Sequence, residues 1–470
     1  MLHDATGSFP SYVPIDAALA AELSKRFGPA FSMLDADRRA ASEDASGILR
    51  LPEAVMTAKT LEDIQELVRL ANLHGFPVTP RGAGTGLAGG ALAEHGGVVL
   101  SMAEKNRILD VDPVNMLAVV EPGAVTGRIR EAARQKGLFY PPDPASLDKS
   151  TIGGNAATDA GGPACVKYGV TRDYILGLEA VLPNGELIRT GVATRKGVVG
   201  YDLTRLLVGS EGTLGIITKL ILKLIPHPRA VRTALALFPD PGKAVAAVGA
   251  VMTSGVTPSC VELMDHRCLT LVSELVPFAP RGGQTSLLLV ETDGDEAAAE
   301  ADMACVVDAC RKMSAMEVLP AADAATRERM WDVRRQISTR IHEAAALYVS
   351  EDVAVPLAYI PELIAAVQML EREFGLSVYA FGHAGDGNIH LNMIAENIEP
   401  DTRERMDRLV ERVLNTVLNL NGTISGEHGL GLAKKRFAPL ELSPASLNLQ
   451  RGIKKLFDPM MILNPGKIFP

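Results

Sequence analysis

Apolar residues recur along this chain at two spacings, helical and alternating, and the switches between them mark out its elements. From Thr60 to Gly75 the stretch TLEDIQELVRLANLHG reads as an amphipathic helix. Thr60 can cap it, Asp63 stands three residues on, and Gly75 stops it. A strand, FPVTP, leads straight into RGAGTGLAGG (Arg81 to Gly90), and a further strand, VVLSM, follows. LAVVEPG (117–123) predicts a strand and Val125 to Lys136 a helix. LGLEAVLP and GELIRT flank Asn184-Gly185, a strong hairpin signal. GYDLTRLLVGSEG predicts a helix and TLGIITKLILKLIP a strand. Ahead of all these, residues 15–30 read as a short helix and 31–50 as a polar connection.

Pro226 and Pro228 mark a boundary, and residues 229–380 read as a second α/β unit. The strand RTALALF precedes the helix DPGKAVAAVGAVMTSG, and the strand TSLLLVET precedes DEAAAEADMACVVDACRKM, an order that predicts a ferredoxin-like layer. Helices are expected at 324–348 and near 401–420, and the chain ends in KKLFDPMMILNPGKIFP.

At 470 residues the chain is long enough for two or three domains of about 150 residues each. A hydrophobic fraction of 47% against 22% charged residues supplies a large core. The net charge of −9 argues against a nucleic-acid partner, which needs a basic surface. The opening MLHDATGSFPSYVP has neither the basic start nor the apolar core of a signal peptide. No apolar run approaches the roughly 18 residues of a membrane span. Five cysteines without a CxxC pair indicate neither a disulfide framework nor an iron–sulfur cluster, and suit a reducing cytoplasm. If the protein moves electrons, it must pass them to something else.

Gly84, Gly86 and Gly89 satisfy GxGxxG, with Glu104 at the distance of a Rossmann acid. The fingerprint also needs a helix opening at the glycines, and the glycine-broken run into VVLSM leaves no room for one. What remains is a loop whose backbone N–H groups can cradle a diphosphate beside Arg81; a plain surface loop fits the same residues. PPDPASLDKSTIGGNAATDAGG (141–162) shows almost no periodicity, and loops of that length inside a compact domain are usually functional.

The densest chemistry lies in FGHAGDGNIH, Phe381 to His390. Asp386-Gly387 favours a two-residue type I′ turn, which would pair His383 directly with His390 and bring both imidazoles within reach of one metal ion. SGEHGLG, Ser425 to Gly431, adds a carboxylate, Glu427, and a third histidine, His428. Two imidazoles and a carboxylate make a three-ligand set with open positions, leaving His428 as a base. Structural histidines beside a glycine-rich loop are the plainer alternative. On the 324–348 helix Arg334 stands four residues before Ser338, on one face with it; a solvated arginine is its plainer reading.

Taken together, PRGAGTGLAGG, STIGGNAATDAGG, GYDL, GSEGTLGIIT, GHAGDGNIH, SGEHGLG and NPGKIF, in this order from Leu51 to Phe469, resemble the FAD-linked oxidases and dehydrogenases of the vanillyl-alcohol-oxidase type. The resemblance is to the branch of D-lactate dehydrogenases, the flavin-carrying chain of glycolate oxidases and D-2-hydroxyglutarate dehydrogenases. It implies an α+β architecture: an N-terminal extension (1–50), an FAD-binding domain (51–228), a ferredoxin-like substrate cap (229–415) and a C-terminal segment (416–470) closing the flavin site. Pro80, Arg81, Gly82, Ala83, Gly84, Thr85 and Gly86 would hold the pyrophosphate. Asp143, Ser150, Gly153, Gly154, Asn155, Ala157, Thr158, Gly161, Gly162, Glu211, Gly212, Ile217 and Asn464 would line the rest of a non-covalent FAD. His383, His390 and Glu427 align with metal ligands for zinc or manganese, His428 with the catalytic base, Asn392 with a substrate-side polar group, and Arg334 with a substrate-carboxylate clamp.

The implied activity is oxidation of a D-2-hydroxy acid, D-lactate foremost, with glycolate and D-2-hydroxyglutarate as alternatives. A non-catalytic flavin-binding subunit is the rival of another class, and a metal-dependent hydrolase without flavin is a third. Electrons would leave to a quinone, a cytochrome, an electron-transfer flavoprotein or partner subunits. The expected location is cytoplasmic, peripheral to the inner membrane face included, and the oligomeric state stays open, a homodimer included. Two departures stand out: Ser350 where glutarate-specific members carry lysine, and Asp159 where asparagine is commoner.

Overall fold

The structure, a computed structural model, describes residues 10–277 and 284–470; residues 1–9 of the opening stretch considered above for a signal sequence lie outside the described residues. The chain divides into two compact units. One comprises Met1–Ala160, Val170–His227 and Glu427–Pro470, the other Gly161–Gly169 and Pro228–Gly426. Among the described residues no helix is long and apolar enough to cross a membrane.

In the first unit a four-stranded sheet runs in the order Phe31–Ser32, Ala54–Thr57, Val98–Ser101, Val78–Arg81. Its last three strands are parallel. The helix Leu61–His74 covers it, burying Ile64, Leu67, Val68 and Ala71 with Met56, Val78 and Leu100. Its ends are those the residue types demand. Thr60 and Asp63 form a reciprocal capping box, and Gly75 closes the helix at φ +78°. The chain's C-terminal segment returns to the same core, where Val78 N–H donates to the Ile462 carbonyl at 2.8 Å. A second, five-stranded antiparallel sheet has the order Ile108–Asp112, Leu117–Val120, Ile216–Lys223, Ile175–Val181, Leu187–Gly191. The Asn184-Gly185 hairpin is present, with Val181 opposite Leu187.

No helix opens at the glycines of residues 82–97, as expected; the strand ending at Arg81 is followed by the strand Val98–Ser101. The 141–162 stretch, expected to lack regular structure, contains a helix, Ile152–Thr158. Its stability comes from tertiary approach, which a periodicity argument cannot register. Gly153 N–H donates to the Pro122 carbonyl at 2.8 Å, and a Cβ on Gly153 would stand 2.5 Å from the Pro122 Cβ. Only glycine lets this helix lie so close. The GYDLTRLLVGSEG helix is shorter than its pattern, Leu203–Leu207, capped by Asp202.

The second unit is a seven-stranded antiparallel sheet in the order Glu317–Pro320, Ala230–Phe238, Ser286–Gly294, Cys260–Met264, Ser377–His383, Asn388–Ala395, Leu347–Ala354. Helices Pro241–Thr253, Glu296–Lys312, Ile360–Phe374 and Thr402–Asn419 pack together on one face. On the other, Ala324–Ala344 brings Met330, Val333, Ile337 and Ile341 against Leu235, Leu237, Met264, Leu287, Leu289 and Phe381. Covered on both sides, the central strands are buried along their whole length, which erases the alternation that reveals a half-exposed strand.

The histidine hairpin differs from expectation in register. His383 pairs with Asn388 and Phe381 with His390, so Ala384–Gly387 make a four-residue turn. Gly387 takes φ +86° while Asp386 stays at negative φ, so the type I′ turn, which needs both positive, is not formed. The shift is by two residues, an even number, and strand side chains alternate with period two. His383 and His390 therefore remain on one face.

A Cβ on Gly387 would collide with the Val355 carbonyl oxygen at a φ that L-residues resist. Gly387→Ala is expected to destabilise the protein by about 2 kcal/mol or more. Gly249→Ala, where the added methyl meets nothing within 4 Å, should be neutral or stabilising by up to about 1 kcal/mol. Thermal melts of the two variants beside the parent check both signs.

Candidate active site

The first unit holds a cavity of about 550 Å³. Every residue from Pro80 to Gly86 lines it, as do Gly153, Gly154, Asn155, Ala157, Thr158, Glu211, Gly212 and Ile217, together with Glu427 and His428. The wall suits a long phosphorylated ligand. Gly82 lies so close to Thr151 that a Cβ there would strike its hydroxyl, and Gly84 takes φ +69° against the Arg81 guanidinium. Thr151 Oγ1 and Arg81 Nη1 are buried and have no hydrogen-bond partner among the described residues, although Arg81 Nη2 donates to the Glu43 carbonyl at 2.7 Å. Burial lowers the Arg81 pKa, with Asp44 and Glu43 opposing it. A diphosphate would satisfy both the buried charge and the orphaned donors.

Asp143, Ser150, Gly161, Gly162 and Asn464 do not line this cavity. Ser150 is buried behind it, its carbonyl accepting from Thr126 N–H at 3.0 Å. Gly161 and Gly162 belong to the second unit, where Lys167 and Tyr168 of the same segment bind the Asp293 carboxylate at 2.5 and 2.6 Å. Thr151 and Ser210 line it too, from within the STIGGNAATDAGG and GSEGTLGIIT motifs, while Ser146 and Lys149, also on the wall, carry no signal beyond their place in a polar loop. Asp159 has a structural explanation. It ends the Ile152–Thr158 helix in the left-handed region, accepts Arg172 N–H at 2.7 Å and pairs with the Arg172 guanidinium at 3.1 Å.

Glu211 faces the cavity, but its carboxylate serves the SGEHGLG loop. Oε1 accepts from Leu430 N–H and Oε2 from Gly431 N–H, both at 2.9 Å. Burial raises its pKa, while these two donors and Lys467 oppose the rise. Asn464 Nδ2 donates to the carbonyls of Glu211 at 2.7 Å and Gly90 at 2.8 Å. Lys467 donates to Asn464 Oδ1 at 3.1 Å and to the Leu92 carbonyl at 2.6 Å, and burial lowers its pKa to about 8. The GSEG, SGEHGLG and NPGK motifs thus form one buried network, and it sets the position of the loop carrying Glu427 and His428.

In the second unit a polar band crosses an otherwise apolar sheet. Glu262, fully buried, lies opposite His383 on the neighbouring strand. Its Oε1 stands 2.5 Å from His383 Nδ1, and its Oε2 accepts from Arg334 Nε at 2.5 Å. Burial would raise the Glu262 pKa; the charges of His383 and Arg334 outweigh it and hold the group far below the usual carboxylate range. An ionised Glu262 oxygen can only accept, so His383 donates its Nδ1–H to it, which turns Nε2 away from the carboxylate as the nitrogen available to a ligand. The His390 ring stands perpendicular to it, centroids 5.1 Å apart. Asp352 lies opposite His390 in register, 3.6 Å from its Nδ1, and accepts Asn388 Nδ2 at 2.6 Å. Arg334 also stacks on Phe381, 4.3 Å from the ring centroid. Its Nε makes its one hydrogen bond among the described residues, which leaves the terminal nitrogens for a ligand. Asn392 is buried in the same band. Glu262 and Asp352 were not foreseen, since neither stands in a motif and Glu262 sits in a run of apolar residues.

Residues 52–191 match the family described as the FAD binding domain, and residues 227–468 the C-terminal domain of the FAD linked oxidases. The chain belongs to the FAD-linked oxidases. It is 37% identical over 419 residues to the glycolate oxidase subunit GlcD of Bacillus subtilis (strain 168), covering 89% of each chain. To a D-lactate dehydrogenase of Anaerostipes hadrus it is 36% identical over 428 residues, again 89% of each. Among solved structures, p-cresol methylhydroxylase with substrate bound superimposes with a TM-score of 0.76 at 18% identity, covering 96% of both chains. Alkyldihydroxyacetonephosphate synthase does so with a TM-score of 0.76 at 19% identity, covering 97% of this chain and 86% of the other. The fold is therefore that of the vanillyl-alcohol-oxidase type, and the protein is an FAD-dependent oxidoreductase.

A glutamine at position 211 can accept only through one oxygen and turns an NH₂ toward a backbone donor. Glu211→Gln is expected to lower turnover at least tenfold, the equivalent of one buried charge-assisted hydrogen bond, while the protein still purifies with flavin. Absorbance of the purified variant and its steady-state rate check the two halves separately.

Proposed function

We propose that this flavoprotein is a metal-dependent dehydrogenase of a D-2-hydroxy acid, D-lactate foremost. The observation that carries the reading is the buried Glu262 carboxylate shared by His383 and Arg334. It prepares one residue as a ligand and anchors the other as an anion binder.

His383, His390 and Glu427 would hold a divalent cation, zinc or manganese, and the ligand chemistry does not choose between them. When bound, the metal supplies Lewis acidity that stabilises negative charge on the substrate hydroxyl oxygen. Arg334 receives the substrate carboxylate on its terminal nitrogens in a planar, two-pronged contact. Asn392 offers a further hydrogen bond to the same anion. His428, on the wall of the flavin cavity, accepts the hydroxyl proton, and a positioned base is worth about 10²–10⁴-fold. A flavin held along residues 80–86 and the Ile152–Thr158 helix would supply the hydride acceptor for C2. A quinone, a cytochrome, an electron-transfer flavoprotein or a partner subunit would serve as the electron acceptor, in the cytoplasm, a compartment that suits five cysteines all free of disulfides.

Glycolate is the second reading, favoured by the identity to a glycolate oxidase subunit. A distal carboxylate such as that of D-2-hydroxyglutarate is disfavoured by Ser350, which lies opposite Asn392 without a cationic side chain.

Anaerobic mixing with D-lactate, L-lactate, glycolate and D-2-hydroxyglutarate, with and without a chelator, is the decisive assay. Rapid bleaching of the flavin by D-lactate, abolished on chelation, is the expected result. Bleaching by L-lactate, or indifference to the chelator, would overturn the stereochemical or the metal assignment respectively. His428→Ala should cut the bleaching rate by about 10²-fold or more with FAD still bound, and an unchanged rate would remove His428 from the mechanism.

A further inference from the structure

Asn392 is 2% exposed. It sits on the strand Asn388–Ala395, with Ser350 opposite on one neighbouring strand and Tyr379 on the other. Its amide is used on one side only. Oδ1 accepts from the Tyr348 hydroxyl at 2.5 Å, whereas Nδ2 is buried with no hydrogen-bond partner among the described residues. Buried amide donors are almost always paired in folded proteins, so an orphan of this kind points to a ligand.

An asparagine amide can turn over, exchanging its acceptor for its donors. Here a neighbour removes that freedom. Tyr348 is itself held, its ring stacked on His342 with centroids 3.9 Å apart. The Ser350 hydroxyl lies beside the Tyr348 hydroxyl, and burial raises the tyrosine's pKa, so the proton stays on and the group remains a donor. Phenol O–H meeting amide oxygen is the favourable pairing. The turned amide would have to donate to the phenol oxygen, which sends the phenol proton away from the amide and leaves the amide oxygen buried without that donor.

We propose that Tyr348 is a positioning residue that locks the Asn392 amide so that its NH₂ is held as a donor for an anionic oxygen of the substrate. The proposal rests on the reading of Asn392 as a substrate-side group. It explains how the Asn392 amide is presented in a single orientation to the carboxylate of a 2-hydroxy acid.

The test is a double-mutant cycle on the flavin-loaded protein with Tyr348→Phe, Asn392→Ala and the double variant. Four quantities are measured: KM and kcat for whichever of D-lactate or glycolate bleaches the flavin, the Kd of oxalate from the flavin spectrum, and the melting temperature. Tyr348→Phe is expected to raise KM and the oxalate Kd about tenfold, the worth of one well-placed hydrogen bond, with kcat changed less than twofold. In the Asn392→Ala background the same substitution should add nothing to either. Equal effects of Tyr348→Phe in both backgrounds, or a lowered melting temperature with KM and Kd unchanged, would overturn the positioning role. If Asn392→Ala itself leaves KM and Kd unchanged, the substrate-side reading falls, and the inference falls with it. If Asn392→Ala weakens binding and Tyr348→Phe does not, only the inference falls.

Discussion

A carboxylate with no solvent exposure, set in the middle of a seven-stranded sheet, is the constraint on which the second unit's chemistry depends. An isolated ion at the Glu262 position would be too costly to keep charged. His383 and Arg334 hold it ionised, each bonded to a different oxygen, and removing either partner from such a buried pair typically costs about 3–5 kcal/mol. That dependence runs in both directions. Glu262 needs two cationic or donating partners, and in satisfying it those partners lose rotational freedom. His383 is held by one nitrogen and Arg334 by Nε and by the face of Phe381. Two functional side chains are thereby placed by one structural requirement.

The first unit solves a related problem with the opposite material. Where the second unit places charge, the first removes atoms. Gly82 and Gly153 allow backbone and helix to approach neighbours that any Cβ would strike, and Thr151 and Arg81 keep buried polar atoms beside the space so left. Behind the wall, Glu211, Asn464 and Lys467 join three chain segments far apart in sequence. Glu211 and Asn464 both take positive φ, a conformation most residues adopt only when surroundings enforce it. The strain is located where the loop bearing His428 is fixed.

What could be read from the residues and what could not follow a physical line. Local interactions were legible: the Thr60–Asp63 capping box, the Gly75 stop and the Asn184-Gly185 hairpin involve residues within a few positions of one another. The even separation that keeps His383 and His390 on one face was legible too, although the turn was not, because four-residue and two-residue turns around Asp386-Gly387 share the same parity. Glu262, Asp352 and the Ile152–Thr158 helix were hidden for one reason. Each is stabilised by a partner more than about twenty residues away, namely His383, His390 or Pro122, and no window along the chain contains both halves of such a pair. The motif residues of the flavin cradle were legible as glycines, but the polar side chains between them were not, since serine and lysine in a loop carry no pattern of their own.

The same distinction explains why motif membership and function diverge at Glu211 and Asn464. Both stand in stretches that mark a flavin protein, and both act through backbone groups of other segments instead of reaching into the cavity with their own side chains. A residue that closes a network is as constrained as one that touches a ligand, because a buried carboxylate or amide has no tolerated neutral substitute that keeps all its partners. Sequence pattern records the constraint without saying which of the two imposes it. Only the direction of the hydrogen bonds separates them, and at Glu211 both oxygens point to the loop that ends at Gly431.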